Sequence, residues 1–562
     1  MSLGSNVLAH FPGLSVELNL SHDTRNIARA ASVVMAAFVL ANLVGLARQV
    51  IINRTFGTSA ELDSYFAAFR VPDLIFNVIA GGALGSAFIP VFTGKLANED
   101  KTGAWRLASS ITNWVLIVLT TLALLAAVWA PWLTERFLAP GFGEQQVEFT
   151  ASLMRIMLIS TIVFGVSGVV MGIHHSHQHF LAPALAPAFY NIGIIVGASV
   201  LAPYWGVHGL AYGVVIGSLM HLGVQLPRLI GYKGHYYSTL DVHNMEVLEV
   251  WRLMLPRVLG LAVWQINFWV NTFIASKLPS GSISALVIAF QIFTFPQAVI
   301  GQAVATAAFP TFSTQAALRD INALRNTVAS SLRGVLYFSM PATLGLILLG
   351  HPLIAALFQN RTFTVQSTEM VSWALSWYAL GLVSHSIVEV TTRAFFALKD
   401  TRTPVAIGII AMMVNVALSV VLSAAFARFA WAPHGGLALA NTVATTMEMV
   451  AMLWMLRARL DGLAIRRIAA SVVRTGIGVM GMWAVLWVWL MIAPDSVAII
   501  SLVGIPLGLG TFWGITLLVG SQEANRLPDL VLTRIGMYWR SSRSPLSSFQ
   551  PPPHQPSDYD SE

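Results

Sequence analysis

The chain has 562 residues, of which 56% are hydrophobic and only 10% charged, with a mean hydropathy of +0.70. Soluble proteins carry roughly 25% charged residues, so a string of water-soluble domains is excluded. Cysteine is absent, which removes disulfides, iron–sulfur clusters and thiol catalysis, and the net charge of +7 follows from the positive-inside distribution of Lys and Arg rather than from nucleic-acid binding.

Residues 1–25 lack the apolar core of a secretory leader and are expected to form a cytoplasmic N-terminal segment. Apolar runs of about 20 residues then recur about fourteen times, which predicts an all-α polytopic membrane protein, because lipid offers backbone groups no partners. The runs centre near Leu40, Ala80, Leu119, Val163, Ile194, Val215, Val263, Ala298, Leu344, Leu380, Val414, Ala444, Val479 and Leu507. Lys and Arg gather after even-numbered spans, as with Lys95, Lys101 and Arg106, or Arg457, Arg459, Arg466 and Arg467. That asymmetry places both termini in the cytoplasm.

The first two spans carry polar stripes at helical spacing: Asn42, Gly45, Gln49 and Asn53, then Arg70, Asp73, Asn77, Gly81 and Gly85. Polar groups at membrane depth face a protein interior or a water-filled pathway. A hydrophilic cavity is therefore expected to begin here, although Asn and Gln also serve as helix–helix glue. After the fourth span, His174, His175, His177 and His179 have no Cys, Asp or Glu beside them and read as a solvated turn, not a metal site.

Shifting the chain by the separation of Gly81 and Gly301 also aligns Ala83 with Ala303, Ser86 with Thr306, Ala87 with Ala307, Pro90 with Pro310 and Phe92 with Phe312. Parallel repeats are a recurrent transporter design with the site between them. The repeat predicts an N-lobe over 26–232 and a C-lobe over 233–460, followed by two more spans over 461–525 and a Pro- and Ser-rich, disordered cytoplasmic tail over 526–562. It also predicts matching stripes on the seventh and eighth spans, which Arg257, Gly260, Trp264, Asn267 and Asn271, and Gln291, Thr294, Ala298 and Gln302, supply.

Arg48, Arg54, Arg70 and Arg257 are the expected cationic lining, suited to phosphate oxygens through the planar guanidinium fork. A polyprenyl-pyrophosphate substrate fits such a cavity. Asp63 is expected either to hold an arginine, to bind a coupling cation, or to form a surface ion pair; Glu389 and Glu448 are isolated carboxylates that pair within the bundle or relay an ion. No HExxH, GxSxG, Walker or paired-carboxylate signature supports catalysis, and no cofactor is expected.

Read in order, GLARQVIINRTFG from Gly45, LDSYFAAFRVPDL from Leu62, GALGSAFIPVF from Gly82, APW from Ala130, APGF from Ala139, ALAPAFYNIGII from Ala184, QLPRL from Gln225, LFQNRTFT from Leu357 and ALKDTRTPV from Ala397 resemble the MurJ (MviN) lipid II flippases of the multidrug/oligosaccharidyl-lipid/polysaccharide exporter superfamily. The resemblance implies alternating access by two lobes, a cationic cavity for a lipid-linked pyrophosphate headgroup, and a prenyl groove formed by the last two spans. It carries a cavity arginine onto Arg48, a functional aspartate onto Asp63 and a basic position onto Arg70. Where the family has further arginines, this chain has Asn42, the Phe76–Asn77 pair and Gln291, and Gln49 replaces an aspartate; Arg257 restores part of the charge. The alternatives are a flippase for another polyprenyl-linked glycan, a cation-coupled drug antiporter, or a transport-silent scaffold for cell-wall synthesis proteins. With no nucleotide motif, membrane potential or an ion gradient would drive net transport.

Overall fold

The computed structural model describes the backbone of residues 20–77, 82–494 and 496–525, and their side chains except at 20–32, 82, 83, 86, 256–264, 266 and 267. The expectations for residues 1–19, for Gly81 and for the tail 526–562 lie outside the described residues. Among those residues every regular element is helical. The first half of the chain supplies α1 (Leu20–Phe56), α2 (Ala60–Ile75), α3 (Gly82–Ala97), α4 (Lys101–Val128), the short α5 (Ala130–Leu133), α6 (Glu144–Ser176), α7 (Leu181–Val196), the short α8 (Ala202–Trp205), α9 (Val207–Gly223) and α10 (Leu226–Gly231). The second supplies α11 (Met245–Ala275), α12 (Ser282–Gln297), α13 (Ala303–Ala317), α14 (Ile321–Phe358), α15 (Val365–Ala379), α16 (Leu382–Ala397), α17 (Arg402–Arg428) and α18 (His434–Arg459). Two further helices, α19 (Ile465–Ile492) and α20 (Val497–Leu518), pack on each other and on α14.

Eleven described helical stretches are long and apolar enough to cross a membrane, or twelve when the bent α15–α16 pair is taken as one span. The expected fourteen is not reached by this criterion. Of the two remaining centres, Ala80 lies outside the described residues, and Val263 lies on the 31-residue α11, whose central side chains are outside the described set.

The internal repeat extends to backbone detail. Glu99 at φ 60° ends the turn after α3 and Arg319 at φ 56° ends the turn after α13. The turns close alike, with Asp100 N–H donating to the Lys95 carbonyl at 3.1 Å and Asp320 N–H donating to the Gln315 carbonyl at 3.0 Å. Each aspartate then caps the following helix: Asp100 Oδ1 accepts from Gly103 N–H at 2.8 Å and Asp320 Oδ1 from Ala323 N–H at 2.9 Å. The short side-chain acceptor satisfies an N–H that the first helical turn leaves unpaired.

Within each half, small residues let backbones meet. A Cβ at Gly193 of α7 would fall 2.2 Å from Gly217 Cα of α9, so only glycine permits this crossing. The opposite faces meet lipid: α17 exposes Val405, Ile409, Ile410, Met413, Val420 and Val421. One buried apolar cluster unites first-half residues such as Phe56, Leu62 and Leu138 with second-half residues such as Ile283, Ile354 and Phe358. A second cluster, built on Ala305, Phe312, Leu324, Val328 and Phe395, belongs to the second half alone. The halves are therefore fused by packing at the end where Phe56 and Leu62 meet Ile283 and Phe358; toward the other end the start of α11 joins the first-half core through Val247, Val250 and Met254, while the rest of the second half packs on its own cluster.

The connector between halves is fastened to α4. Asp241 accepts from Arg106 Nε and Nη2, both at 2.7 Å, and from Ser110 Oγ at 3.1 Å, while Trp114 Nε1 donates to the Leu240 carbonyl at 3.0 Å. The Arg106 guanidinium, with added hydrogen bonds from Thr239 and Ser110, holds the Asp241 carboxyl down at about 2.

Candidate functional site

The fused end is a polar seal. Ser59 caps α2 by accepting from Leu62 N–H at 3.2 Å, which sets Asp63 in the first helical turn, 3% exposed. From there its carboxylate meets the start of α12 in the other half: Gly281 N–H donates to Oδ2 at 2.7 Å, and Ser284 donates to Oδ1 through its N–H at 2.7 Å and its Oγ at 2.6 Å. Hydrogen bonds to a charged group are worth about 1.5–3 kcal/mol each, and stranding the donors costs a similar amount. Gly281 at φ +87° allows the approach, since a Cβ there would lie 2.6 Å from the Thr58 carbonyl oxygen. Thr58 Oγ1 donates to Ser367 Oγ at 2.8 Å, and Gly141 N–H to Ser276 Oγ at 3.2 Å.

Arg54 belongs to this seal and not to a cavity lining. It is exposed at the end of α1, its Nε donates to the Leu357 carbonyl at 2.8 Å, and its own carbonyl accepts from Asn360 Nδ2 at 2.8 Å. A cation is well placed against the unpaired carbonyls at the C-terminus of α14.

Below the seal, polar groups of both halves converge. Arg48 Nη1 donates to Asn191 Oδ1 on α7 at 2.9 Å, while its Nε is buried without a hydrogen-bond partner among the described residues. Gln49 Nε2 donates to Asn53 Oδ1 at 2.9 Å, and Asn42 is exposed. Arg70 Nε donates across to Thr272 Oγ1 of α11 at 3.0 Å, with the guanidinium 5.5 Å from the centre of the Phe268 ring. One turn on, Asp73 Oδ1 accepts from Asn77 Nδ2 at 2.8 Å and Oδ2 accepts from Gln265 Nε2 of α11 at 3.4 Å. Gln291 Oε1 is buried and unbonded among the described residues. Arg257 and Asn267 lie on α11, but their side chains are outside the described residues.

The three carboxylates named from the sequence stand on three different helices. Asp63 is in the seal; Glu389 on α16 pairs with Arg393 and accepts from Gln297 Nε2 at 3.3 Å; Glu448 on α18 faces Gly408 of α17 with no hydrogen bond among the described residues. No three His, Cys, Asp or Glu side chains come together as around a metal ion, among the described residues. In the histidine turn, His174 is bonded to Tyr232 Oη and the Gln225 carbonyl, both at 3.1 Å, and His177 stacks on Tyr232 at 4.0 Å.

Sequence reasoning missed Asn191, Gln265, Thr272 and Ser284, the partners of its candidates. Asp73 was legible as part of the α2 stripe with Arg70 and Asn77, but only its contact with Gln265 marks it as a bridge between halves.

The comparisons agree with one another. The family model described as lipid II flippase MurJ matches residues 52–505. A relative from Vibrio cholerae described as a probable lipid II flippase MurJ is 29% identical over 538 residues, covering 90% of this chain and 98% of the relative. A lipid II flippase MurJ from Burkholderia cenocepacia is 27% identical, covering 77% and 84% respectively. A solved lipid II flippase MurJ in an inward closed conformation superposes with a TM-score of 0.74 at 25% identity, covering 86% of this chain and 98% of that one. An inward-facing multidrug transporter of the MATE family, at TM-score 0.64 and 17% identity, shares the fold. Family model, relatives and solved structure lead to one assignment: this chain belongs to the MurJ lipid II flippase family.

Proposed function

We propose that the protein carries lipid II, the undecaprenyl-pyrophosphate-linked peptidoglycan precursor, from the cytoplasmic to the outer leaflet of the bacterial inner membrane. It does so as a transporter without enzymatic activity, with the lobes 26–232 and 233–460 rocking about the cavity between them. Both termini lie in the cytoplasm, and residues 461–525 flank the prenyl chain. The observation that carries this reading is Asp63, a first-half carboxylate gripping the start of a second-half helix through three hydrogen bonds. Such a contact closes one end while the polar walls below remain free to take a headgroup. Opening outward means releasing it.

Arg48, with a buried N–H free of protein partners among the described residues, is the primary phosphate ligand. Arg70 and Asp73, one turn apart on α2, hold the α2–α11 contact through Thr272 and Gln265. No ATP is used. Moving one charge through 100 mV supplies about 2.3 kcal/mol, enough to bias a two-state carrier, and an ion held at Asp63, Glu389 or Glu448 would do the same. Headgroup accessibility of lipid II in vesicles tests the reading. Arg48→Ala and Arg257→Ala should each slow translocation relative to the parent; unchanged rates in both remove the basic-cavity mechanism, and no translocation by the parent removes the cargo.

A further inference from the structure

Helices α6 and α16 end in the same turn and equip it differently. Gln178 at φ 57° is matched by Lys399 at φ 60°, and His179 N–H donates to the His174 carbonyl at 2.9 Å as Asp400 N–H does to the Phe395 carbonyl at 3.0 Å. That register sets Gly168 against Glu389, Gly172 against Arg393, His179 against Asp400, and Phe180 and Leu181 against Thr401 and Arg402. An arginine from beyond the next helices faces each turn. In the second half Arg459, at the end of α18, donates from Nη2 to Asp400 Oδ2 at 3.0 Å, and Thr403 Oγ1 donates to the same oxygen at 2.8 Å. In the first half Arg228 of α10 donates from Nη2 to His179 Nε2, and among the described residues no carboxylate pairs with it. Burial and the Arg228 guanidinium, with a smaller push from His177, hold the His179 imidazole below its ordinary range, so it is the neutral form that accepts from Arg228.

The cation is held in place without being neutralised. Its guanidinium lies 5.7 Å from the centre of the Tyr232 ring, on which His177 stacks at 4.0 Å and whose Oη is bonded to the buried His174 at 3.1 Å. A ring face attracts a guanidinium and leaves most of its five N–H groups for an acceptor. The depth of the site follows from α6. Its 33 residues span about 50 Å, against about 40–45 Å for a bilayer with its headgroups. Its first turn stands at the seal, where Gln146 Nε2 donates to the Ala60 carbonyl at 3.1 Å, so its last turn lies at the headgroups of the opposite face. There Phe180, Leu181, Leu226 and Ile230 are exposed around the arginine, whereas the second-half turn has Thr401 and Arg402. Exposed apolar side chains around a cation fit the boundary between acyl chains and headgroups.

We infer that Arg228 and His179 form a binding site for the phosphate of an anionic membrane lipid. Arg228 donates to the phosphate oxygens, the Nδ1–H of His179 adds a second donor, and the four apolar side chains meet the acyl chains. The lipid phosphate does for Arg228 what Asp400 does for Arg459. The apolar surroundings favour a lipid over free phosphate.

The test places the full-length protein in phosphatidylcholine nanodiscs with a trace of phosphatidylglycerol that carries a diazirine on an acyl chain near the headgroup, and maps the peptides labelled on photolysis. Label should fall on residues 174–182 and 226–233. Inorganic phosphate in large excess should leave it there, and diacylglycerol with the same diazirine should label these segments far less. His179→Asp copies the second half and gives Arg228 a resident carboxylate; it should cut labelling of both segments by about tenfold, the size of one charge-assisted hydrogen bond, with labelling elsewhere unchanged. Arg228→Gln should do the same. Equal labelling by diacylglycerol, or either variant labelled like the parent at these segments, overturns the inference. Loss of the label to inorganic phosphate makes the site one for a free anion and overturns the assignment to a lipid.

Discussion

The two halves of the chain share a frame and differ in what they hang on it. Helices α3 and α13 end in the same turn, and Asp100 and Asp320 cap the next helix with the same bond. Yet α6 runs unbroken over 33 residues, whereas its counterpart is the α15–α16 pair, bent by 47°. Arg48 rests on Asn191 in the first half, while the second half has Glu389 and Arg393 where the first has two glycines. Polar groups cost free energy at membrane depth and persist where they have work to do. The shared turns therefore report a common frame, and the unshared charges report a division between the two halves.

That division has meaning only if the halves move apart. The largest expected effect comes from preventing it. The chain has no cysteine, and Thr58 Oγ1 lies 2.8 Å from Ser367 Oγ across the seal, a separation compatible with a disulfide after replacement. Thr58→Cys with Ser367→Cys should cross-link on oxidation and lose lipid II translocation by more than about tenfold, with recovery on reduction. Full-rate transport by completely cross-linked protein would show that the seal does not open during the cycle.

A smaller effect sharpens the contrast between glycine and charge. Gly172→Ala forces a methyl against Phe88, and overpacking of this kind costs about 1–3 kcal/mol. The double variant Arg393→Ala with Glu389→Gln, at the equivalent place, strands no charge and creates no clash, and should stay within about 1 kcal/mol. Thermal unfolding in one detergent compares them directly. Equal losses would mean that the charged site is packed as tightly as the glycine site.

How much of this was legible in the sequence depends on range. The helical class follows from apolar runs, which are local, and the repeat from small residues, Pro and Phe recurring at one fixed shift. Arg48, Asp63 and Arg70 were visible because polar side chains on apolar helices stand out. Their partners were not, since Asn191, Ser284 and Thr272 are ordinary residues until the fold brings them near. Arg54 shows the converse. It sits on α1 beyond the polar stripe, and only the arrival of the α14 C-terminus assigns it to the seal. The bend between α15 and α16 was hidden as well, because Leu380 and Gly381 interrupt the helix without a proline to announce it.

The connector adds an asymmetry that neither half has alone, because among the described residues its side-chain hydrogen bonds run to the first. Asp241 takes two bonds from Arg106 and one from Ser110, so α11 begins from a point fixed on α4. Folding lowers the Asp241 carboxyl from an unfolded value of about 3.9 to about 2. A carboxylate depressed in this way stabilises the folded form fully above its unfolded value and loses that contribution as the pH falls through the folded one. Hydrogen exchange across residues 232–244 should therefore be unchanged between neutral pH and pH of about 4, after correction for intrinsic rates, and rise toward pH of about 2. Asp241→Asn should exchange faster already at neutral pH, with the seal at Asp63 unaffected. Faster exchange at both places would mean that the connector and the seal open as one unit, and the first half would then act as a single rigid body from α2 to the start of α11.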